Sequence, residues 1–264
     1  MARVKILVIC ILCTLSIFAQ DSLSAQSKLD SDWKFRVGPY FWFFNINATL
    51  ERPPVPSTLP EYEESRFTID KPFSEIKNSL KFAFLINTEY RYKRIVTLLN
   101  ITSVILEGDA VTPKELIVKG VNYRLSIFFG EALAGYRVLD KPKFTIDLYG
   151  GAKMFGSSIE GQGDFIGDRD FYQKRKVTFV EPILATKLTY SFTPRIELAG
   201  YLDYGPLRNK KDLTNQYALN ANFLLNKWLY IAPGYRYWLF IKDKEESIFN
   251  GQFYGFYIRI GAQF

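Results

Sequence analysis

The chain has 264 residues, contains no histidine, and has only two cysteines, Cys10 and Cys13, both near its start. Without imidazole, Ser-His-Asp catalysis is excluded and zinc loses its usual protein ligands, so we expect no metal site and no cofactor. The net charge of +7 is spread along the chain without a basic cluster, which argues against a nucleic-acid partner.

The first segment has the pattern of an export signal. Arg3 and Lys5 precede the apolar run Ile6–Ala19, which is too short to span a membrane as a helix. We predict a signal peptide over residues 1–19, cleaved after Ala19, with Ala25 as the alternative site. Residues 20–264 would then form the exported domain.

The first predicted strand follows Gly38-Pro39 and alternates between two faces. Asn45, Asn47 and Thr49 lie on one face. The opposite face is apolar and carries Tyr40, Trp42, Phe44, Ile46 and Ala48.

A long connection comes next. Its proline- and glutamate-rich part, Glu51–Arg66, predicts an exposed loop, and Phe67–Asp70 could form a short strand. Between Phe73 and Leu80, apolar residues recur at helical spacing. We predict a short amphipathic helix here, folded over or into the mouth of the domain.

The rest of the chain repeats the alternating pattern, with apolar residues assigned to the outer face. The predicted strands are Leu80–Arg91, Arg94–Glu107, one within Glu115–Val138, one starting at Phe144, Val177–Tyr190, and others starting at Ile196, near Gln216, and at Leu229. The two faces of Arg94–Glu107 cannot be separated. Glycine- and charge-rich Gly156–Arg175 predicts a loop.

The closing strand, Gly251–Phe264, has the clearest alternation. Its apolar face is predicted to contact lipid and to act as the signal for the barrel-assembly machinery. This face carries Tyr254, Phe256, Ile258, Ile260, Ala262 and Phe264.

The connections indicate how the strands are arranged. Short turns at 92–93, 140–143, 191–194 and 226–227 alternate with the longer connections 51–79, 108–114, 156–175, 205–213 and 242–247. Periplasmic turns and extracellular loops of outer-membrane barrels differ in this way. We predict an all-β, antiparallel up-and-down transmembrane β-barrel of 10 strands, with 12 or 8 as alternatives. A β-sandwich built from the same strands is the other fold left open.

Six stretches resemble a family of largely uncharacterised Gram-negative outer-membrane β-barrel proteins of similar length. They are Gly38–Trp42, Phe73–Phe84, Tyr149–Phe155, Phe179–Pro182, Gly234–Trp238 and the closing strand. The resemblance implies the barrel fold, the outer membrane as location, and lipid and lipopolysaccharide as surroundings. It carries over no catalytic residue.

Charged residues on the inner faces are the main candidate site. They are nearly balanced in sign and form two predicted layers. One layer contains Glu89, Arg137, Asp147, Lys187, Glu197 and Arg259. The other contains Lys81, Glu131, Lys153, Glu181, Asp203 and Arg236.

Paired charges of this kind could close a narrow lumen, whereas a selective pore would favour a ring of one sign. We predict that Arg236 bridges to Asp203, with Glu181 beside it. Glu181 and Asp203 could also form a hydrolytic carboxylate pair, but an ion pair within the lumen with Arg236 or Lys153 is the preferred interpretation. The expected function is non-enzymatic, structural or in surface interaction. The alternative is a narrow solute channel gated by Phe73–Leu80, and the extracellular partner cannot be read from the sequence.

Overall fold

The computed structural model describes residues 32–51, 66–110, 118–165, 169–205, 212–244 and 247–264. The predicted signal peptide and most of the loop Glu51–Arg66 lie outside the described residues. Among the helices that the structure describes, none is long and apolar enough to cross a membrane. The elements are β1 (Trp33–Glu51), β2 (Arg66–Lys71), α1 (Phe73–Ser79), β3 (Leu80–Tyr92), β4 (Ile95–Ala110), β5 (Val118–Asp140), β6 (Phe144–Phe165), β7 (Arg169–Thr193), β8 (Ile196–Gly205), β9 (Leu213–Leu224), β10 (Leu229–Lys244) and β11 (Ser247–Gln263).

The strands form one closed antiparallel sheet. From β3 to β11 each strand pairs with its neighbour in sequence, and β11 pairs with β1 to complete the ring. Within the described residues the wall therefore has ten strands, β1 and β3 to β11, as predicted. Closure leaves no unpaired sheet edge, and it lets every strand present an apolar face to lipid. The alternation along the sequence is typical of this arrangement.

The connection between β1 and β3 contains the two elements expected there. β2 pairs only with the upper part of β1, from Glu51↔Arg66 to Ile46↔Lys71. β11 pairs with one edge of β1. β2 and β3 therefore share the opposite edge of β1, with β2 at the upper end, and α1 connects them. The short strand Phe67–Asp70 and the helix Phe73–Leu80 are therefore both present, and β2 adds no further strand to the wall.

The wall is taller on one side than on the other. β5, β6 and β7 contain 23, 22 and 25 residues, whereas β8 and β9 contain 10 and 12. About 9–11 residues suffice for a tilted strand to cross a bilayer. β5, β6 and β7 are about twice that length, so they extend well beyond the bilayer.

The prediction of a loop over Gly156–Arg175 is wrong. β6 continues to Phe165 and β7 starts at Arg169, so the two strands form a long hairpin. Above the apolar zone both faces of a hairpin can be polar. Glycine and charge there do not indicate the end of a strand.

Burial shows which faces of β1 and β4 point into the lumen, a point that the sequence left open. In β1, Phe41 and Phe43 point outward, at 64% and 40% exposure, and the face that begins with Tyr40 and Trp42 points into the lumen. In β4, Val96, Leu98, Val104 and Leu106 point inward and Ile95 and Leu99 outward. Apolar residues occur on both faces of these two strands, so alternation alone could not decide which face points inward.

The outer surface carries an apolar band with aromatic side chains at both edges. Tyr254, which shares the outward face of Phe256 and Ile258 in β11, and Phe264, directly after β11, mark the two edges. Ten residues at about 3.3 Å each, tilted by about 40°, give a height of about 25 Å, the usual height of such a band. Tyr237 and Tyr217 continue the upper edge, with ring centroids 6.3 Å and 6.2 Å apart along the row from Tyr254.

Candidate functional site: a lumen filled by side chains

The middle and upper lumen is filled by aromatic rings. Phe129 lies at the centre, with ring centroids 4.3 Å from Trp238, 4.9 Å from Phe253, 5.3 Å from Phe155 and 6.4 Å from Trp42. These residues come from β1, β5, β6, β10 and β11, so the rings meet across the lumen. We call this group the aromatic plug. Its members are Trp42, Phe44, Phe129, Phe155, Phe179, Trp238, Phe240, Phe249 and Phe253.

Helix α1 sits against the plug at the upper mouth. Ile76 is 3% exposed and belongs to the same core cluster. The backbone N–H of Phe73 donates to Asn45 Oδ1 at 2.9 Å, and the Phe73 ring lies 5.2 Å from the outward ring of Phe43. The helix is thus anchored at both of its apolar positions, by Ile76 inside the mouth and by Phe73 against the outer face of β1.

Arg236 lies directly below the plug in a cage of aromatic rings. Its guanidinium carbon is 5.1 Å from the ring of Tyr40, 5.2 Å from Tyr257 and 5.5 Å from Trp42. Nη1 also donates a hydrogen bond to Tyr40 Oη at 3.0 Å. Cation–π contacts of this kind are strongest when the cation is desolvated, as here.

The predicted bridge from Arg236 to Asp203 is therefore wrong, because Asp203 has another cation. Lys153 Nζ donates to both carboxylate oxygens of Asp203 at 2.6 Å, and the two side chains are 1% and 0% exposed. Next to them the hydroxyl of Tyr201 donates to Glu131. Two carboxylates, one ammonium and one phenol thus form a buried cluster, which we call the Lys153 cluster.

The lower lumen contains several ion pairs, and two of them, Lys187–Glu89 and Arg36–Glu197, cross it. Lys187 donates to Glu89, and Arg259 donates to Asn87 and lies 3.4 Å from Glu89. Arg36 Nη2 donates to Glu197 at 2.7 Å from the opposite wall. Arg137 binds Asp147 through Nε and Nη2, at 2.7 Å and 3.1 Å.

A cavity of about 140 Å³ remains between these pairs. Five of the six residues of the first predicted layer line it: Glu89, Arg137, Asp147, Lys187 and Glu197. Arg259, the sixth, contacts Glu89 behind it. The sequence pattern thus grouped residues that the structure brings together.

The second predicted layer is dispersed. Glu131, Lys153 and Asp203 meet, and Arg236 lies in its aromatic cage. Glu181 binds Lys242 nearer the upper mouth, where Lys242 also donates to Asp212 at 2.5 Å. Lys81 is outside the network: its side chain is 68% exposed and its Nζ lies 3.3 Å from Glu107. An irregularity in the β3–β4 pairing between Leu80 and Phe82 disturbs the alternation there.

Several residues of the lumen were not singled out by the sequence. Arg36 and Tyr40 share the inward parity of β1, and Tyr201 shares that of Glu197 and Asp203 in β8. Counting in steps of two from a residue of known face would have found them. The aromatic plug gives no such signal, because alternation assigns apolar residues to the lipid face.

Comparison with known proteins supports the fold. No family model and no curated protein matches the sequence. Among solved structures, the outer membrane protease OmpT from Escherichia coli matches with a TM-score of 0.59 at 10% identity, over 88% of this chain and 97% of that chain. The attachment invasion locus protein Ail of Yersinia pestis has a TM-score of 0.33 at 8% identity, over 89% of this chain and 99% of that one. The Pseudomonas putida toluene transporter TodX has a TM-score of 0.33 at 10% identity, over 88% and 89%.

Of these three structures, OmpT alone has a TM-score above 0.5, and at 10% identity its likeness concerns the fold alone. The chain has the fold of the Gram-negative outer-membrane β-barrel proteins: a closed antiparallel barrel with an apolar outer band.

Proposed function

We propose that this protein is a non-enzymatic outer-membrane β-barrel of a Gram-negative bacterium, with a lumen closed by its own side chains. It would act as a structural element of the envelope or through its outer surface. The observation that carries this proposal is the contact between Phe129 and Trp238. Their strands, β5 and β10, are five strands apart in either direction around the ring, so the contact spans the lumen.

The location follows from physical features of the wall. An outer apolar band of about 25 Å suits the hydrocarbon layer of an outer membrane. The predicted signal peptide, residues 1–19, would export the chain, and the outward face of β11 would be read by the barrel-assembly machinery. Lipid and lipopolysaccharide would then surround the band.

Two features support a non-enzymatic role. The 264 residues include no histidine to accept and return a proton. The carboxylates considered for hydrolysis, Asp203 and Glu181, are each held by an ammonium, from Lys153 and Lys242 respectively. An enzyme of carboxylate type needs one acid that can exchange protons with a substrate, and neither group is placed for this.

A narrow channel is the second candidate, and helix α1 is the observation that favours it. A short helix in the mouth, which has Ile76 as its one buried residue and Phe73 as a second contact, could move aside as a gate. Under this alternative, removal of residues 73–79 should open a conducting path. Under our proposal the removal leaves the barrel silent, because the plug belongs to the wall strands.

Conductance in planar lipid bilayers tests the proposal. The refolded protein, checked for its shift between boiled and unboiled gel samples, should show no discrete current steps. The variant lacking residues 73–79 should also be silent. Current steps from the parent protein would overturn lumen closure, and steps from the helix-deleted variant alone would establish the gated channel.

A further inference from the structure

The outer face of the tall side of the barrel carries a ladder of charges across five strands. Glu107 pairs in register with Arg124, Arg124 with Glu160, and Glu160 with Lys174. Inward neighbours such as Leu106 and Phe155 are buried, so alternation places these four charged side chains on the outside. Lys81 joins the row from β3. The signs alternate along the whole row, which we call the outer ladder.

Ion pairs hold the outer ladder together. Lys81 Nζ and Arg124 Nη1 lie 3.3 Å and 3.2 Å from the carboxylate of Glu107, and Lys174 Nζ lies 2.6 Å from Glu160. The hydrogen bond from Lys174 lowers the pKa of Glu160 below its ordinary value. Opposite charges facing each other across strands stabilise the extension of the sheet.

The cations of the ladder are more exposed than its acids. Lys81, Arg124 and Lys174 are 68%, 50% and 51% exposed, whereas Glu107 and Glu160 are 33% and 29% exposed. Lys176, also outward and exposed, lies one row closer to the membrane beside Ser158. Among the described side chains of this patch, four cations therefore accompany two partly covered acids. The charge that these six described side chains present to the outside is therefore positive.

On β7 the outer ladder lies above the apolar band. On β7 the outward residue Val180, 59% exposed, lies about ten residues above Tyr190 and marks the top of the band. Lys176 lies four residues further, about 10 Å higher on a tilted strand. A lysine side chain can extend back toward the interface from that height. Ser126 and Ser158 lie between the band and the ladder and pair in register.

We infer that the outer ladder is a docking surface for the phosphate groups of a phosphorylated glycolipid of the outer leaflet, lipopolysaccharide being the class that fits. The inference rests on the membrane location proposed above. The acyl chains would lie along the apolar band below Met154 and Val180. Arg124, Lys174 and Lys176 would bind the headgroup phosphates, with serine hydroxyls as additional donors.

A lipid fits this surface better than a free anion or a protein. On β7, Lys176 and Lys174 lie four and six residues above Val180, about 10 Å and 15 Å higher, on the side of the lipid-facing band where headgroups lie. A free phosphate would need only the cations, and a protein partner would not require the cations to lie above a lipid-facing band. Tethering by acyl chains adds apolar contact to phosphate contact, so the whole glycolipid should bind far more tightly than phosphate alone.

Binding of lipid A in mixed detergent micelles tests the inference. The probes are lipid A with both phosphates, dephosphorylated lipid A, and inorganic phosphate, and the apparent Kd is measured for refolded protein. The variant is Arg124→Gln/Lys174→Gln/Lys176→Gln. The matched control, Lys141→Gln/Lys143→Gln/Lys227→Gln, removes the same charge from exposed positions at the opposite end of the barrel.

Each removed cation near an anionic surface should weaken binding about fivefold, so the ladder variant should lose about a hundredfold and the control little. Phosphorylated lipid A should bind, and dephosphorylated lipid A should bind no better than the ladder variant binds the phosphorylated form. Equal binding of both lipids, or equal loss in the control, would overturn the inference. Inorganic phosphate binding as tightly as lipid A would indicate a free-anion site and contradict the lipid assignment.

A second variant, Glu107→Gln/Glu160→Gln, separates docking from a purely structural role. It breaks the ion pairs but keeps every cation, so lipid A should bind as tightly as to the parent or more tightly. If the ladder only holds the strands together, neither variant changes the affinity of folded protein for lipid A, and the inference fails. Lumen closure is measured by conductance and would be unaffected by this result.

Discussion

The ring of Phe129 on β5 packs against the ring of Trp238 on β10, with centroids 4.3 Å apart. These strands face each other across the barrel, so the two rings lie on the axis of the lumen. Arg236 lies below these two rings and Ile76 lies above them, so the four side chains follow one another along the lumen. The inside of the barrel is therefore a packed core in this region, organised like the interior of a small barrel whose side chains fill it.

The Lys153 cluster should be more sensitive to loss of its cation than the aromatic cage is. Lys153→Met leaves the buried carboxylate of Asp203 without its ammonium, which should cost about 3–5 kcal/mol. Arg236→Met loses cation–π contacts but leaves no carboxylate unpaired, so about 1–2 kcal/mol is expected. Urea-induced unfolding in lipid vesicles measures both free energies.

A double variant checks the cause of that difference. Asp203→Asn in the Lys153→Met background replaces the unpaired carboxylate by a neutral amide and should recover part of the lost stability. Equal costs for Lys153→Met and Arg236→Met, without recovery, would show that the buried charge of Asp203 is compensated by some other group.

The register of β11 should tolerate no insertion. One residue inserted between Phe256 and Tyr257 would exchange the faces of one part of the strand and move Arg259 from Glu89 to the lipid side. An arginine near the bilayer midplane costs about 2–4 kcal/mol in a barrel wall. We expect little folded protein in the outer-membrane fraction by heat-modifiability gel. The same insertion in the connection between β10 and β11 should be tolerated, and normal levels of the first variant would contradict the register.

Removal of Phe264 should lower the folded fraction more than Phe264→Ala does. The backbone of Phe264 exchanges two hydrogen bonds with Phe35, at 3.0 Å and 2.8 Å, and its ring stacks on that of Phe35 at 6.3 Å. Phe264→Ala loses only the ring contact, whereas the deletion also removes the two backbone hydrogen bonds at the end of the β1–β11 pairing. Equal folded fractions for the two variants would mean that the ring alone matters.

The carboxyl of Glu160 should titrate below the ordinary range of about 4.3. Its pKa is lowered because Lys174 donates a hydrogen bond to the carboxylate. The pair therefore stabilises the folded state at pH values above the pKa of Glu160 in the unfolded chain. This stabilisation is lost as the pH falls through the lower pKa of the folded state. Carbon-13 NMR of the carboxyl measures the midpoint. Lys174→Gln should raise it more than Arg124→Gln does, and the reverse order would contradict this pairing.

The outer face of most strands could be predicted from the sequence because it differs from the inner one. In β11 every second residue is apolar and the intervening ones include Arg259, so lipid and lumen faces separate at once. The first charge layer could be predicted for the same reason: inward charges counted from short turns, such as Glu89 and Lys187, fall at one height.

The plug could not be predicted in this way. Trp42 and Phe129 lie on strands in which apolar residues occur on both faces, and hydrophobicity cannot distinguish a ring that faces lipid from one in a packed lumen. The partners of the charges were equally hidden, because they depend on how neighbouring strands are staggered. An inward arginine such as Arg236 predicts an acidic partner, whereas four aromatic rings and the Tyr40 hydroxyl surround it.

Conductance of a barrel with its plug removed tests the central claim most directly. Phe129→Ala/Trp238→Ala removes the two rings on the axis. The control, Phe128→Ala/Tyr237→Ala, removes neighbouring rings from the outer face of the same strands. The parent and the control should be silent in planar bilayers, and the plug variant, folded by heat-modifiability gel, should conduct. A folded plug variant as silent as the parent, or a parent that conducts, would contradict closure of the lumen by Phe129 and Trp238.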